Sequence, residues 1–209
     1  FGAKFQRGSG SSEEFKGCMV STMTISCAAG EEAKVSMDII AQDAAARAAA
    51  LGAPTFGSGA QAFHYQARSK ALKFTPSGGS PVEFTLRSFE YKLDNKLDTR
   101  YKLGSLLTES PDTNDIREIM LSCVADLEDN TIYNYQIDGT EGEVEIHFTS
   151  GSDTITIKVF NACLLSYEDN VTSVGRLERS FEFQGYASSS TEATTITIVN
   201  SDPSDTSNG

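Results

Sequence analysis

The sequence has no tryptophan, and it has only two histidines among its 209 residues. Without tryptophan, a carbohydrate-binding site would have to stack its ligand on tyrosine and phenylalanine rings. Two histidines also provide little material for general acid–base catalysis. His64 lies in the segment FHYQ, and His147 alternates with Glu143 and Glu145 on the polar side of a strand. No serine occupies a Gly-x-Ser-x-Gly elbow, and we therefore expect neither an enzyme nor catalytic residues.

Positive charge is scarce. The chain carries 17 Lys and Arg residues against 29 Asp and Glu residues, and its formal net charge is −12. Proteins that grip nucleic acid neutralise phosphates with clustered Lys and Arg side chains. The composition thus excludes tight nucleic-acid binding. An acidic surface would instead let nucleic acid pass without adhering, because like charges repel at short range.

Long apolar runs are absent too. No stretch of about eighteen apolar residues occurs, so we predict no membrane-spanning helix. The amino terminus, which begins at Phe1, has neither an initiating methionine nor the apolar core of a signal peptide. We expect upstream sequence to be missing from this chain.

Cysteine is sparse and carries no metal or disulfide pattern. The four positions are Cys18, Cys27, Cys123 and Cys163. They include no Cys-x-x-Cys pair and form no disulfide framework, and the last three lie in apolar, strand-like segments, so we expect buried, reduced thiols. The acidic turns Glu128–Asp129 and Glu168–Asn170 lack the spacing and the glycine of an EF-hand. No metal ion and no cofactor are predicted.

The sequence does contain a series of alternating segments typical of β-strands. The clearest pair, Cys18–Cys27 and Lys34–Ile40, flanks an Ala-Ala-Gly-Glu turn. Val35, Met37 and Ile39 are predicted to point inward and their neighbours outward, which leaves this hairpin with one polar face. Further strands are predicted within 62–74 and at Val82–Leu93, Ile116–Leu127, Glu143–Phe148, Thr154–Phe160, Arg179–Tyr186 and Thr194–Val199.

Three segments between these strands are predicted as loops. Residues 1–17 are polar and rich in Gly and Ser, with a loop at Ser9–Glu14. The Ala-rich segment Gln42–Leu51 is interpreted as a loop with one helical turn, because alanine favours helix but so short a helix is marginal alone. Asn95–Asp115 is a polar loop of about twenty residues, and loops of that length usually have a function.

One short helix is predicted after the acidic turn. It opens at Glu128–Asn130, places Ile132, Tyr133 and Ile137 at near-helical spacing and stops at Gly139. A β-rich chain with one small helix is the predicted architecture.

Two parts of the chain resemble each other. Val20–Asp43 is a hairpin with a polar outer face, and Ser88–Asp129 repeats that plan with a much longer loop. Such an echo favours a duplication. The predicted domains are accordingly a first unit at 1–75, a second unit at 76–187 and a polar acidic tail at 188–209.

Several segments together resemble the tail tube proteins of long-tailed bacteriophages. Gly17–Asp43 is similar to that family's first hairpin, including its aliphatic-Ser-x-x-Thr-Ile-Ser core. Phe89–Ser105 resembles a strand followed by a loop with Tyr-x-Leu-Gly-Ser, and Arg117–Ser150 resembles the strand, helix start and hairpin that come next. Arg179–Tyr186 is similar to the closing strand. The resemblance covers most of residues 17–186, and the acidic tail lies outside it.

The resemblance implies a mainly β fold, a β-sandwich or half-barrel with a short helix. It also implies a structural virion protein, made in the host cytoplasm, that assembles with itself and with other tail proteins. Six equivalent domains, as a hexamer or as a trimer of duplicated chains, would form each ring. Stacked rings would form a hollow tube through which DNA passes during ejection without specific binding.

Within that framework the outward positions of the strands become candidates for a channel lining. The predicted lumen-facing residues are Thr22, Thr24, Ser26, Lys34, Ser36, Asp38, Ser88, Glu90, Lys92, Asp94, Glu118, Ser122 and Asp126. The charged residues of the long loop are predicted to contact the next ring: Lys96, Asp98, Arg100, Lys102, Glu109, Asp112 and Asp115.

Three alternatives are open at this point. The outward positions are also what an ordinary solvated sheet face would show. A tail-tip or tail-completion ring would share the fold, and a carbohydrate-binding or adhesin sandwich would use exposed tyrosines such as Tyr65, Tyr101 and Tyr135.

Overall fold

A computed structural model describes residues 1–7, 11–47, 63, 68–101, 103–104, 107–126, 130–173, 176–188 and 192–199. Over these residues the protein is mainly β with one short helix, as predicted. The elements are β1 (Ala3–Arg7), β2 (Ser11–Lys16), β3 (Met19–Ala28), β4 (Lys34–Ile40), β5 (Asp43–Arg47), β6 (Arg68–Pro76), β7 (Val82–Phe84), β8 (Leu86–Asp94), β9 (Leu97–Asp98), β10 (Asp112–Thr113), β11 (Glu118–Asp126), α1 (Thr131–Ile137), β12 (Gly142–Ser150), β13 (Asp153–Ser173), β14 (Arg176–Gln184) and β15 (Thr194–Val199).

The chain divides into two compact units that interleave along the sequence. The first unit comprises Phe1–Thr24, Ser36–Ser58 and Leu93–Glu118, and the second comprises Ile25–Val35, Gly59–Lys92 and Ile119–Gly209. These are units in space rather than the consecutive domains predicted from the internal repeat, whose boundaries at 75 and 187 stay a prediction.

The strands form one large sheet and two small ones. The large sheet has the order β4-β3-β8-β11-β14-β13-β12-β6-β7, with β15 also paired to β13. The small sheets are β1-β2-β5 and the two-stranded β9-β10. Antiparallel pairing, as between Leu121 and Phe183 on β11 and β14, puts alternate residues on opposite faces.

Strand β13 turns the large sheet back on itself. Its first half pairs with β12 and β15, whereas from Cys163 onward it pairs with β14. Between these halves Asn161 has φ 46°, the left-handed conformation that Asn tolerates better than most residues. We call β4, β3, β8, β11, β14 and the second half of β13 the front layer, and the first half of β13 with β12, β6, β7 and β15 the back layer.

Aromatic side chains fill the space between the layers in the second unit. The rings of Phe89 and Phe148 lie 5.6 Å apart, and those of Phe74 and Phe183 lie 5.4 Å apart. Each pair joins a front strand to a back strand, and all four residues are buried. Burying such a ring stabilises the fold by about 1.5–3 kcal/mol. This packing makes the fold a β-sandwich, as the resemblance implied.

Helix α1 closes one end of this core. It follows Asn130 and is over before Gly139, which has φ 60° and is the predicted stop. Ile132 is buried, and the ring of Tyr135 lies 5.1 Å from that of Phe74. The helix therefore depends on its contacts, because seven residues would not stay helical alone.

Two loop predictions were wrong in part. The predicted loop Ser9–Glu14 is strand β2 from Ser11 onward, and β2 pairs with β1. The Ala-rich segment contains strand β5, whose Ala45 lies opposite Glu14 of β2. Alanine's preference for helix is worth only tenths of a kcal/mol per residue, and pairing with β2 satisfies the backbone of a segment too short to form a stable helix. The rest of that segment, 48–51, lies outside the described residues.

The cysteines follow the predicted pattern of burial in part. Cys18, Cys27 and Cys123 are buried and Cys163 is half-buried. Burial raises the pKa of the Cys123 thiol, because the thiolate would lose its hydration. Cys123 thus behaves as a small apolar core residue.

Candidate functional site

A polar trough of about 660 Å³ runs across the front layer of the second unit, on the side away from the core. Its walls are mainly the outward residues of β3, β8, β11, β14 and β13. The polar residues that line it are Ser26, Glu31, Lys34, Ser88, Glu90, Ser122, Ser166, Glu168, Ser180 and Glu182. Serines and glutamates outnumber every other polar type, so the trough is acidic and well hydrated.

Strand register organises this trough into rows. Ser122 lies opposite Glu182, and Glu182 lies opposite Ser166. The Ser122 hydroxyl donates to Glu182 Oε1 over 3.0 Å. In the next row Glu168 lies opposite Ser180. Serine and glutamate thus alternate across three strands, and cross-strand pairs of this kind stabilise the sheet modestly.

Five of the predicted lumen-facing residues line this trough: Ser26, Lys34, Ser88, Glu90 and Ser122. Lys34 donates to Glu31 Oε2 at 2.6 Å. Two other predicted residues of the second unit, Lys92 and Asp126, are exposed but lie outside the lining. Asp126 accepts from Arg87 Nε, which also lies 3.4 Å from Glu178.

The remaining predicted lumen-facing residues belong to the first unit. Thr22 donates to Asp38, which shows that the even-numbered residues of β3 and β4 share one side. Thr24 is half-buried and Ser36 is exposed. The other two, Asp94 and Glu118, both bind Lys96.

Sequence reasoning missed part of the trough. Ser180 and Glu182 alternate with the buried Phe181 and Phe183 in the segment RSFEFQG, and that alternation was a sufficient signal. Ser166 and Glu168 had no such signal, because β13 has a register shift between Leu164 and Ser166. A bulge of this kind changes which residues face outward and is invisible in the residue pattern.

The apolar side of β4 is uncovered, contrary to the prediction that it faces inward. Val35, Met37 and Ile39 are 56%, 52% and 42% exposed. Strand β4 is first in the order of the large sheet, so one backbone edge has no strand beside it in the described part of the chain. Edge strands with exposed apolar residues tend to pair with other chains.

The second half of β13 is another open edge of the front layer. From Cys163 to Ser173 it pairs with β14 alone, as far as the chain is described. On its core side Tyr167 lies 5.6 Å from the ring of Tyr133 on α1. Arg179 Nε donates to Asp169 over 3.0 Å, and its guanidinium carbon lies 4.6 Å from the centre of the Tyr167 ring. Helix α1 is thereby fixed beside this edge.

The predicted loop 95–115 is a narrow ribbon, which we call the arm (residues 96–114). Its strands β9 and β10 pair Leu97 with Thr113. Backbone bonds from Glu109 to Arg100 and from Asn114 to Lys96 continue the pairing at both ends. The predicted polar loop thus contains a short ladder that its sequence did not mark, while most of its other described residues lie outside helices and strands.

Several charged residues of the arm are bound within the arm or at its base, where it joins β8 and β11. Lys96 Nζ lies 2.9 Å from Asp94 and 2.8 Å from Glu118. Hydrogen bonds from Lys96 to Glu118 and to Asp94 raise the pKa of Lys96, so this network is complete below the ordinary lysine pKa and is lost only as pH rises through the raised value. Arg100 donates to Asn114 Oδ1 over 3.3 Å.

The other predicted inter-ring residues are placed as follows. Asp112 and Asp115 accept the backbone N–H of the next residue, and Asp98 is exposed. Glu109 is half-buried, whereas Lys102 lies outside the described residues. The outermost side chains of the arm include Tyr101 and Leu103, both strongly exposed.

The described residues contain no group of three or more His, Cys, Asp and Glu side chains arranged to hold a metal ion. His147 shares a hydrogen bond of 2.8 Å with Thr156, and His64 is outside the described residues. Among the helical residues described, none form a helix long and apolar enough to span a membrane.

The fold and these surfaces define a mainly β protein with a polar trough and two open sheet edges among its described residues. A family model described as phage tail tube protein matches residues 2–185. The chain therefore belongs to the phage tail tube protein family and is a virion component.

Comparison with solved structures adds a distant similarity. A structure described as the cryo-EM structure of the anti-feeding prophage (AFP) baseplate, 6-fold symmetrised, is 9% identical to this chain, with a TM-score of 0.46. The alignment covers 73% of this chain and 100% of that chain. No curated protein matches the sequence.

Proposed function

We propose that copies of this protein join edge to edge into closed rings, and that the rings stack into a tube through which the phage genome is ejected. The observation that carries this proposal is β4, an edge strand whose apolar side is uncovered and whose polar side carries Lys34 at the trough. A lone monomer would leave this strand as a site for aggregation. A neighbouring copy would satisfy its backbone and remove that liability.

The front layer offers two different edges for such a junction. They are β4 and the second half of β13, which are the first and last strands of that layer. A contact between two different edges is heterologous, and repeating it generates a ring when the rotation closes. Joining β4 of one copy to β13 of the next would make one continuous front layer around a bore.

In this arrangement the polar side of the front layer lines the bore. The lining would include the trough and the predicted lumen-facing residues, whose acidic members outnumber their lysines. DNA phosphates do not bind to an anionic wall, because it has few Lys and Arg side chains that could neutralise them and release the cations condensed on the DNA. DNA would pass without specific binding, and the protein would need no catalytic function.

The arm would lie between consecutive rings. Its two ends are joined by the pairing of β9 with β10, and its residues Tyr101 and Leu103 are strongly exposed. Ends that are already paired lose less conformational entropy on docking than the ends of a flexible loop do. Each ring would hold six equivalent domains, as a hexamer or as a trimer of duplicated chains.

Electron microscopy of the purified protein tests this proposal directly. We expect closed rings with a central hole and stacks of such rings at higher concentration. Cysteines introduced at Ser36 and at Glu168, on the two edges, should cross-link neighbouring chains within the rings. Dispersed single particles at every concentration would overturn the proposal, and rings that never stack would favour a tail-tip or tail-completion ring.

A further inference from the structure

An exposed apolar pair marks the outer face of helix α1 in the second unit. Tyr133 and Ile137 are 44% and 64% exposed. They are separated by four residues, so they lie on one side of the helix, one turn apart. Tyr133 contacts the ring of Tyr167. The side chain of Ile137 is mostly exposed, so packing within the chain does not explain why an apolar residue stands at this position.

This pair lies on the core side of the front layer. Tyr167, beneath Tyr133, is opposite Phe181, and Phe181 packs 6.4 Å from Phe84 of the back layer. Helix α1 therefore sits beside the open edge of β13, on the side away from the trough.

Val35, the uncovered residue of β4 that belongs to the second unit, is on that same side. The hydrogen bond from Thr22 to Asp38 fixes the even-numbered residues of β3 and β4 on the polar side. Val35 and Met37 then point the other way, as do the buried Ile25 and Cys27 of β3. Within the second unit, exposed apolar residues thus lie beside both open edges of the front layer, with Val35 at β4 and Tyr133 and Ile137 at β13.

We propose that α1 of one copy covers the apolar side of β4 in the adjacent copy, with Ile137 and Tyr133 packed on Val35, Met37 and Ile39. This inference rests on the proposed ring. The helix contact follows from the proposed junction, because pairing β4 with the neighbour's β13 places β4 next to the strand that α1 contacts through Tyr133 and Tyr167. The occupant is a second copy, since the same chain supplies both the helix face and the strand face and repetition leaves neither exposed.

Single acidic substitutions test the contact between α1 and β4 independently of the backbone pairing between β4 and β13. Ile137→Asp and Met37→Asp should each lower the fraction of protein in rings and tubes at least tenfold, because a carboxylate would be buried in an apolar interface. Circular dichroism and thermal unfolding of the monomer should be unchanged, because both positions are exposed there. Ile198→Asp is the matched control, since Ile198 is equally exposed on β15, and it should assemble as the unchanged protein does.

A cysteine pair keeps the inference testable if either acidic variant fails to fold. Met37→Cys with Ile137→Cys should form disulfides between chains in assembled rings, and each single variant should not. Normal assembly of both acidic variants, or no cross-link in rings that do form, would overturn this contact and leave the ring proposal standing. If the unchanged protein never forms rings, the proposed function fails, and the helix contact fails with it.

Discussion

At the scale of single residues, the most informative side chain is Arg179. It is only 3% exposed, yet it is charged. Its partner Asp169 is about half exposed, so the pair is solvated on one side and escapes the full cost of burying two charges. Stacking on Tyr167 uses the flat face of the guanidinium, which lysine does not have. Arg179 is therefore best understood as the anchor for the β13 edge.

We predict that Arg179→Ala lowers the free energy of unfolding by about 3 kcal/mol, from the lost charged hydrogen bond, the cation–π contact and the lost packing. Urea denaturation followed by tyrosine fluorescence measures this change. Arg87→Ala is the control, because its ion pairs are partly exposed and such pairs contribute at most about 1 kcal/mol. Equal losses in both variants would contradict an anchoring role for Arg179.

The loss of stability caused by Arg179→Ala should also depend on pH, because it involves the carboxylate of Asp169. Desolvation raises the pKa of Asp169, but the hydrogen bonds from Tyr167 and Arg179, together with the Arg179 charge, lower it overall. A lowered folded pKa gives stability that is present above the unfolded value of about 4 and is lost as pH falls through the folded value. The stability difference between Arg179→Ala and the unchanged protein should narrow below about pH 4 for this reason.

At the scale of elements, the close approach of β6 and β12 depends on one glycine. A Cβ at Gly142 would meet the carbonyl oxygen of Thr75 and would lie 2.7 Å from the Phe74 ring. Both neighbours are held in the core pairing of Gly142 with Pro76, so neither can move away easily. Strand propensity does not explain a glycine here; the close contact with Thr75 and Phe74 of the neighbouring strand β6 does.

Gly142→Ala should lower the free energy of unfolding by about 3 kcal/mol, because overpacking at backbone has a large cost. Gly151→Ala provides the comparison: it lies at φ 63° with open space around it, and the left-handed conformation alone costs about 1 kcal/mol. Thermal unfolding of both variants measures the two losses of stability, and the loss in Gly142→Ala should be the larger. A smaller effect at Gly142 than at Gly151 would show that β6 and β12 are not packed this closely.

The arm can be shortened without cutting a strand of the large sheet, at the loss of one hydrogen bond from Thr108 to Gln42. Asn114 donates its backbone N–H to Lys96, so residues 97–113 can be replaced by an Asn-Gly turn that joins these two ends. We expect the shortened protein to fold and to form single rings but no tubes, measured by sedimentation and microscopy. Tubes of ordinary length would remove the arm from the proposed ring-to-ring contact.

At the scale of the whole molecule, charge is the property that matters for the proposed bore. The net charge of −12 is spread over the chain, so its effect on passing DNA must be tested at chosen positions. Glu90 and Glu168 are exposed at the trough. Asp94 and Asp126 are less suitable, since reversing them would break ion pairs with Lys96 and Arg87.

Glu90→Lys combined with Glu168→Lys should leave tube assembly intact and slow genome ejection, because lysines in the bore would retain phosphates. The effect should weaken as salt rises. Glu141→Lys with Glu192→Lys changes the net charge equally at exposed positions outside the trough and should eject normally. Equal ejection rates for the two double variants would contradict an anionic lining.

The sequence by itself determined most of the alternating strands, the short helix that ends before Gly139 and the polar outer faces of β8 and β11, because these depend on local spacing and on the two-residue period of a strand. The predicted single strand Val82–Leu93 is divided into β7 and β8. Only the tertiary structure decided that β5 is a strand, that β13 bends at Asn161 and exchanges partners, and that Ser166 and Glu168 enter the trough. It also showed that Val35, Met37 and Ile39 are apolar without being covered. The physical reason is that the alternation of apolar and polar residues shows only which side of a strand is apolar. The partners of a strand, its bulges and the layer that covers it are set by contacts between residues far apart in the chain.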